Sequence, residues 1–232
     1  SPQNIQSNSD PYFHGASYDE IIAYTQLGYG NTCAVKTNTG NAAPVVVVPS
    51  GGFTIPVNTP FALSGSATDA NSDPLTYSWE EFDLGAAGHP DTPTGNAPIF
   101  RSFSPVSTPS RTFPKMIDIV KNLHVMGELL PAYTRVLTFR LTARDNHFNP
   151  SAGGVGFATI SFNVSTNAGP FTVTTPNTAV TCNAGVSQTV TWNVANTDIS
   201  PVNCSGVDIL LSRDGGYTYP VTLLANTPND GT

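Results

Sequence analysis

Apolar and polar residues alternate along several short stretches of the chain, which is the pattern of β-strands with one buried face. The clearest stretches carry apolar residues at Leu75, Tyr77 and Trp79, at Leu137, Phe139, Leu141 and Ala143, and at Ala158, Ile160, Phe162 and Val164. Turn-forming residues separate these stretches. The pattern therefore predicts a mostly-β fold, with an immunoglobulin-like sandwich over residues 45–166 and Trp79 as its core tryptophan.

A second group of predicted strands follows Pro170, with Trp192 in the place that Trp79 holds in the first group. Residues 170–232 are therefore predicted to form a second β-sandwich. We expect this module to be truncated, because the turn-forming residues 229–231 lead into no further strand. The opening Ser1-Pro2, without an initiator Met or a signal peptide, also leads us to expect an excerpt of a longer protein.

One short helix is predicted near the N-terminus, over about residues 17–27. Ser17 and Glu20 have the spacing of a capping box, apolar residues follow them, and Gly28 fits a left-handed helix stop. A helix of this length is marginal in water unless it packs on something. We therefore interpret residues 1–36 as the C-terminal remnant of another domain and residues 37–44 as a polar linker.

The stretch over residues 83–133 is far longer than an ordinary loop, and it is predicted to be an insertion with edge strands and a helical turn. Acidic residues lie at its beginning and just before it: Glu80, Glu81, Asp83 and Asp91. A hydrolase that uses pairs of these carboxylates is one hypothesis. We interpret them as a solvated face instead, because no further catalytic pattern accompanies them.

Composition narrows the classes of function. Nine basic residues stand against sixteen acidic ones, for a net charge of −7, and no run of Lys or Arg is present to neutralise phosphates. Nucleic acid is therefore not an expected partner. Membrane insertion is not expected either, since no apolar stretch approaches a bilayer-spanning length. The low charged fraction of 11% in a predicted all-β chain is typical of exported bacterial modules, so we expect an extracellular, secreted protein.

The chain has three cysteines, an odd count that suggests one internal bridge in a secreted protein. Cys182 and Cys204 flank the predicted Trp192 strand, and we expect them to form a disulfide that leaves Cys33 single. The alternative is three buried thiols.

No catalytic residue can be assigned, because the four histidines are scattered and no His-Glu-x-x-His arrangement is present. One group has metal-like spacing. The B–C and F–G loops of an immunoglobulin-like sandwich lie at the same end, so oxygen-bearing side chains from both are expected to converge there as a candidate calcium site: Asp69, Asn71, Asp73, Asp145 and Asn146. The alternative is that Asp and Asn merely suit turns.

Short motifs over nearly the whole chain resemble one family. Residues 8–14, followed by Ser17 and by residues 20–22, are similar to the segment after the Met-turn in bacterial reprolysin-like zinc metallopeptidases of the metzincin group. The β modules that commonly follow that catalytic domain are similar to residues 77–80, 100–102, 141–146, 169–171, 189–192 and 211–216. The Asp-rich turn also resembles cadherin-like and PKD-like modules.

This resemblance implies a non-catalytic accessory region of a secreted zinc metallopeptidase. The region would stabilise or position the preceding protease domain, or bind a surface or a protein or polysaccharide substrate. Zinc would belong only to the catalytic domain, whose zinc-binding helix and Met-turn have no counterpart in these residues. Cys33 would then pair with an upstream cysteine. The alternative is a free-standing adhesion or carbohydrate-binding module of cadherin or PKD type.

Overall fold

A computed structural model describes residues 5–33, 35–148 and 152–232; the opening Ser1-Pro2 lies outside the described residues. The predicted mostly-β fold is confirmed. The strands are β1 Val45–Val47, β2 Thr54–Pro56, β3 Phe61–Ser64, β4 Ser66–Thr68, β5 Thr76–Glu81, β6 Ser110–Phe113, β7 Arg135–Arg144, β8 Val155–Ser165, β9 Thr172–Thr175, β10 Thr191–Asn193, β11 Gly206–Leu211 and β12 Val221–Pro228.

The N-terminal helix, α1, spans Gly15–Ile22 and begins two residues earlier than predicted. It continues as a π-helix over Ala23–Leu27, and a short 3-10 helix follows over Tyr29–Thr32. The expected capping box does not form, because Ser17 lies inside the first turn. The N-cap position is His14, whose side chain makes no capping hydrogen bond. No helix in the described part of the chain combines the length and apolarity needed to cross a bilayer.

The segment over residues 83–133 contains β6 and a second helix, α2, over Met116–Val120. The solvated-face interpretation holds for Asp91, which is exposed, but it is wrong for Glu80. Glu80 is only 4% exposed. Glu81 Oε2 accepts hydrogen bonds from the backbone N–H groups of Ile99 and Phe100 at 2.7 Å each. The carboxylate of Glu81 therefore holds the backbone at Ile99 and Phe100.

The strands form one four-stranded sheet and four two-stranded sheets in the described residues. The order in the larger sheet is β2-β8-β7-β5. β2 pairs with β8 in parallel, whereas β5 pairs with β7 antiparallel in a register that places Trp79 opposite Leu141. The two-stranded sheets are β1-β4, β3-β6, β9-β10 and β11-β12.

Contacts divide the chain into two compact units. Unit one comprises Ser1–Gly51, Ala62–Arg111 and Thr138–Ser161, and unit two comprises Gly52–Phe61, Thr112–Leu137 and Phe162–Thr232. The domain boundaries that the sequence suggests at 37–44 and near 166–170 stay a prediction.

The core of unit one is built on the strand alternation seen in the sequence. Phe139, Leu141 and Ala143 of β7 have no exposed surface, as the pattern predicts. Trp79 is 3% exposed and its Nε1 donates to Pro109 O at 2.9 Å, which satisfies the indole N–H inside the core. Ile160 of β8 is also buried.

Unit two has its own core. Phe61 and Phe113 stack at 5.1 Å between ring centroids, and Phe162 meets Phe61 edge-on at 5.6 Å. Trp192 is 6% exposed, and its Nε1 donates to Asn229 Oδ1 at 2.8 Å. Asn229, expected to belong to an ordinary turn, is therefore a buried partner of the second tryptophan.

The three cysteines are exposed free thiols. The predicted bridge between Cys182 and Cys204 is not formed in the structure, and the alternative of buried thiols is wrong. Cys182 lies in the irregular stretch between β9 and β10, whereas Cys204 precedes β11, which belongs to a different two-stranded sheet. No strand pairing therefore holds the two sulfur atoms together. Cys204 Sγ instead lies 3.2 Å from Gly206 O.

Candidate metal site

Three carboxylates from two loops of unit one come together. Asp69 and Asp73 lie in the turn between β4 and β5, and Asp145 follows the last residue of β7. One oxygen from each lies within 4.8 Å of those of the other two. Like charges at this separation repel one another, and a divalent cation relieves that repulsion. The predicted convergence of these three residues is present in the structure.

Asp69 shapes its own turn. Its Oδ1 accepts hydrogen bonds from the backbone N–H groups of Asn71 at 2.9 Å and Asp73 at 3.1 Å, the arrangement of an Asx turn. Ser72 has φ 65°, in the left-handed region. The other oxygen, Asp69 Oδ2, is buried and accepts no hydrogen bond from any described residue. A buried oxygen without a donor is uncommon and calls for a partner.

Asp145 has no exposed surface and is held by N–H donors on both oxygens. Oδ1 accepts from His147 N at 3.0 Å and Gly154 N at 2.8 Å, and Oδ2 accepts from Gly154 N at 2.8 Å and Asn41 Nδ2 at 2.7 Å. Burial raises the pKa of Asp145, but these hydrogen bonds outweigh it and leave the pKa below its ordinary value. Asp145 is therefore a permanent negative charge at neutral pH.

Asp73 contacts a histidine that the sequence analysis set aside. His147 Nδ1 lies 2.9 Å from Asp73 Oδ2, and both side chains are about one quarter exposed or less. His147 thus joins the two loops, through its ring to Asp73 and through its backbone N–H to Asp145. Its position two residues after Asp145 is the feature of the sequence that could have identified His147 as a neighbour of the site.

Asn71 and Asn146, also predicted for the site, face other partners. Asn71 Oδ1 accepts a hydrogen bond from Ala42 N at 2.8 Å. Asn146 Nδ2 donates to Pro74 O at 3.3 Å and Thr76 Oγ1 at 3.0 Å. These two side chains fix the surroundings of the carboxylates, and the structure does not place them as ligands.

The predicted linker, residues 37–44, contacts the carboxylates and supplies a residue that the sequence analysis missed. Asn41 Nδ2 donates to Asp145 Oδ2, and the adjacent Ala42 is bonded to Asn71. Asn41 Oδ1 is buried and accepts no hydrogen bond from the described residues. In the sequence, Asn41 is one of several polar linker residues, so nothing marked it out.

Asp214 is a useful contrast, because its carboxylate is fully occupied by its own turn. It accepts hydrogen bonds from Tyr217 N at 3.1 Å, Thr218 N at 2.9 Å and Thr218 Oγ1 at 2.6 Å, and from Ser212 Oγ at 2.7 Å. Hydrogen bonds from the Thr218 hydroxyl, the Thr218 N–H and the Ser212 hydroxyl lower the pKa of Asp214 to about 2. A turn aspartate can therefore be satisfied without a ligand, whereas Asp69 is not.

No protein-family model matches this chain, and no curated protein matches it in sequence. Fold and geometry define it as a mostly-β protein in which two loops and a linker surround a cluster of three carboxylates. The arrangement can bind a hard cation through oxygen atoms. No nucleophile with an adjacent base accompanies the cluster in the part of the chain that the structure describes.

Proposed function

We propose that this chain is a non-catalytic, calcium-stabilised accessory region of a secreted bacterial zinc metallopeptidase. The observation that carries the calcium part is the buried Asp69 Oδ2, which accepts no hydrogen bond from the described residues and belongs to one of three converging carboxylates. The link to a metallopeptidase rests on the resemblance of the sequence motifs.

The donor set suits calcium because it consists of oxygen atoms, most of them charged, from flexible loop positions. Asp69 and Asp73 are the main ligands in this proposal, because their carboxylate oxygens can accept further contacts. Both oxygens of Asp145 already accept two N–H contacts each, so this residue contributes mainly its charge. Asn41 holds Asp145 in place through its Nδ2, which donates to Asp145 Oδ2 at 2.7 Å.

Calcium at this position joins the linker to both loops. Asn41 and Ala42 already contact the site, so a cation shared with Asp69 stiffens the path between residues 5–33 and the strands. Such stiffening is what an accessory region needs in order to position a neighbouring protease domain. Extracellular modules bind calcium with dissociation constants of about 10⁻⁴ to 10⁻³ M, which matches a secreted protein.

The test is calorimetric titration of the chain with calcium after removal of bound metal by a chelator. We expect one ion per chain, with affinity reduced about tenfold or more in Asp69→Asn and Asp73→Asn, because affinity follows the number of charged ligands. Asn41→Ala should also weaken binding.

Asp198→Asn is the matched control, since it removes one carboxylate from an exposed turn far along the chain from the site. Its affinity should equal that of the wild type. Absence of binding to the wild type, or equal losses in Asp198→Asn and Asp69→Asn, would return the cluster to the status of ordinary turn residues. The metallopeptidase assignment has a separate test, namely whether the upstream coding sequence contains His-Glu-x-x-His-x-x-Gly-x-x-His.

A further inference from the structure

The side of β5 and β7 that faces away from the hydrophobic core is polar and nevertheless buried. Glu80 is 4% exposed, Arg140 7% and Thr142 2%. In a sandwich with one solvated face these alternate positions would be exposed. Glu80, Arg140 and the neighbouring Arg144 are contacted instead by residues 13–19, which comprise the end of the preceding segment and the first part of α1.

Arg140 is held in place by contacts with residues outside that segment. Its guanidinium lies between two aromatic rings, with Cζ 3.9 Å from the centroid of Phe82 and 4.0 Å from that of Phe157. Nη1 and Nη2 then bind the two oxygens of Asp19 at 3.0 and 2.8 Å. A planar guanidinium held by rings loses little freedom on binding, so it is well suited to recognise a carboxylate.

Two further charged residues recognise the backbone around Gly15. Both oxygens of Glu80 accept its N–H, at 3.1 and 3.2 Å, while Arg140 Nη1 donates to its carbonyl at 3.3 Å. Arg144 Nη2 donates to Phe13 O at 2.9 Å. A Cβ at position 15 would lie 3.0 Å from Phe82 Cε2 and 3.1 Å from Glu80 Oε2, so a larger residue would require these side chains to shift by a few tenths of an ångström.

The covering segment is held by these polar contacts, with little help from apolar burial. Gly15 is the only buried residue of α1. Several apolar neighbours are exposed, namely Phe13 by 66%, Ile21 by 40%, Tyr24 by 63% and Leu27 by 85%. Tyr12, Tyr18 and Ile22 are half-buried, and Arg144 Cζ lies 5.7 Å from the ring centroid of Tyr12. Attachment through charge-assisted hydrogen bonds is sensitive to salt and to a competing carboxylate.

The connection on the C-terminal side of the segment permits it to leave. Residues 35–40 are exposed and form no helix or strand, and the side chains of Asn38 and Thr39 accept hydrogen bonds from the backbone two residues further on. A detached helix of eight residues does not stay folded in water. Release would therefore give an extended segment and expose the arginine surface on β7.

We propose that residues 13–19 form an exchangeable strap, and that the surface of Glu80, Arg140 and Arg144 also binds the same segment of a second copy of this chain. The features that it recognises are a glycine in the first helical turn and an aspartate four residues later. This inference goes beyond the proposed function and does not depend on calcium.

The test uses the full chain and a labelled synthetic peptide of residues 10–27 as the probe. In wild type the strap occupies the site, so we expect weak binding. Asp19→Asn in the full chain removes the carboxylate that Arg140 binds, which weakens the strap of the same chain. This variant should therefore bind the peptide at least tenfold more tightly than wild type. Amide hydrogens of residues 15–22 should exchange faster in the variant, and faster in wild type at high salt.

A peptide carrying Asp19→Asn is the matched control, since it leaves the receptor chain unchanged and should bind at least tenfold more weakly. Glu20→Gln in the peptide removes a neighbouring charge and should have little effect. Equal binding of the wild-type and Asp19→Asn peptides would overturn the proposal. So would unchanged amide protection in the Asp19→Asn chain, or failure of that chain to bind any peptide.

Discussion

Asp145 shows how a single buried carboxylate can order a loop. It has no exposed surface, and its N–H donors come from the linker, from the residue two positions later and from Gly154, the residue before β8. The lowered pKa follows from these donors, not from solvent. Close approach of the backbone at Gly154 is what makes the arrangement possible.

Gly154→Ala is predicted to destabilise the protein. An added Cβ would lie 2.7 Å from both Asp145 Oδ2 and Ala43 Cα, so the backbone must shift and the carboxylate must lose donors. We expect a loss of about 1–3 kcal/mol in the free energy of unfolding, measured by urea denaturation. Gly88→Ala is the control, because a Cβ there would meet nothing within 4 Å. Equal stability of the two variants would contradict the close packing around Asp145.

Each element is stabilised by residues that its own sequence pattern does not reveal. β10 carries Trp192, whose indole N–H is satisfied by Asn229 just after β12. The same Asn229 donates through Nδ2 to Thr197 Oγ1 and to Cys204 O, both at 2.9 Å. The amide of Asn229, the residue after β12, therefore connects to β10 and to Cys204, two residues before β11.

Asn229→Ala is predicted to cost about 1–3 kcal/mol of stability, because it leaves the indole N–H of Trp192 buried without its partner. Trp192 fluorescence during urea denaturation should report a lower midpoint. Thr222→Ala, at an exposed position of β12, provides the comparison and should change stability by less than about 0.5 kcal/mol. A midpoint in Asn229→Ala that matches Thr222→Ala would show that this amide is dispensable.

The strands and the acidic cluster could be predicted from the sequence because both follow local rules. Alternation placed Phe139 and Leu141 in the core, and loop topology brought Asp69 to Asp145. The strap could not be predicted, since Glu80 and Gly15 are separated by 65 residues and an outward-facing glutamate looks solvated. Asn41 was missed for the same reason, because the path of a linker is set by contacts distant in sequence.

At the scale of the whole molecule, each compact unit contains one of the two tryptophans. Trp79 lies in unit one and Trp192 in unit two, and both are buried. The carboxylate cluster and the linker residues that contact it all belong to unit one. Fluorescence from a single tryptophan therefore reports separately on the unit with the proposed calcium site and on the unit without it.

Trp192→Phe leaves Trp79 as the reporter of unit one, and its thermal midpoint is predicted to rise with calcium. Binding to the folded state alone adds about 1.4 kcal/mol at ten times the dissociation constant, which corresponds to roughly 3–6 °C. Trp79→Phe leaves Trp192 as the reporter of unit two. Its thermal midpoint should not change with calcium if unit two unfolds separately. If the chain unfolds as one, the midpoint should rise by the same amount as that reported by Trp79. Asp69→Asn in either background should reduce the calcium effect to about one third or less, because its affinity is expected to fall about tenfold or more. Stabilisation must first appear in the unit that holds the bound ion. A rise in the thermal midpoint reported by Trp192, with no rise reported by Trp79, would therefore place the ion outside the cluster of Asp69, Asp73 and Asp145.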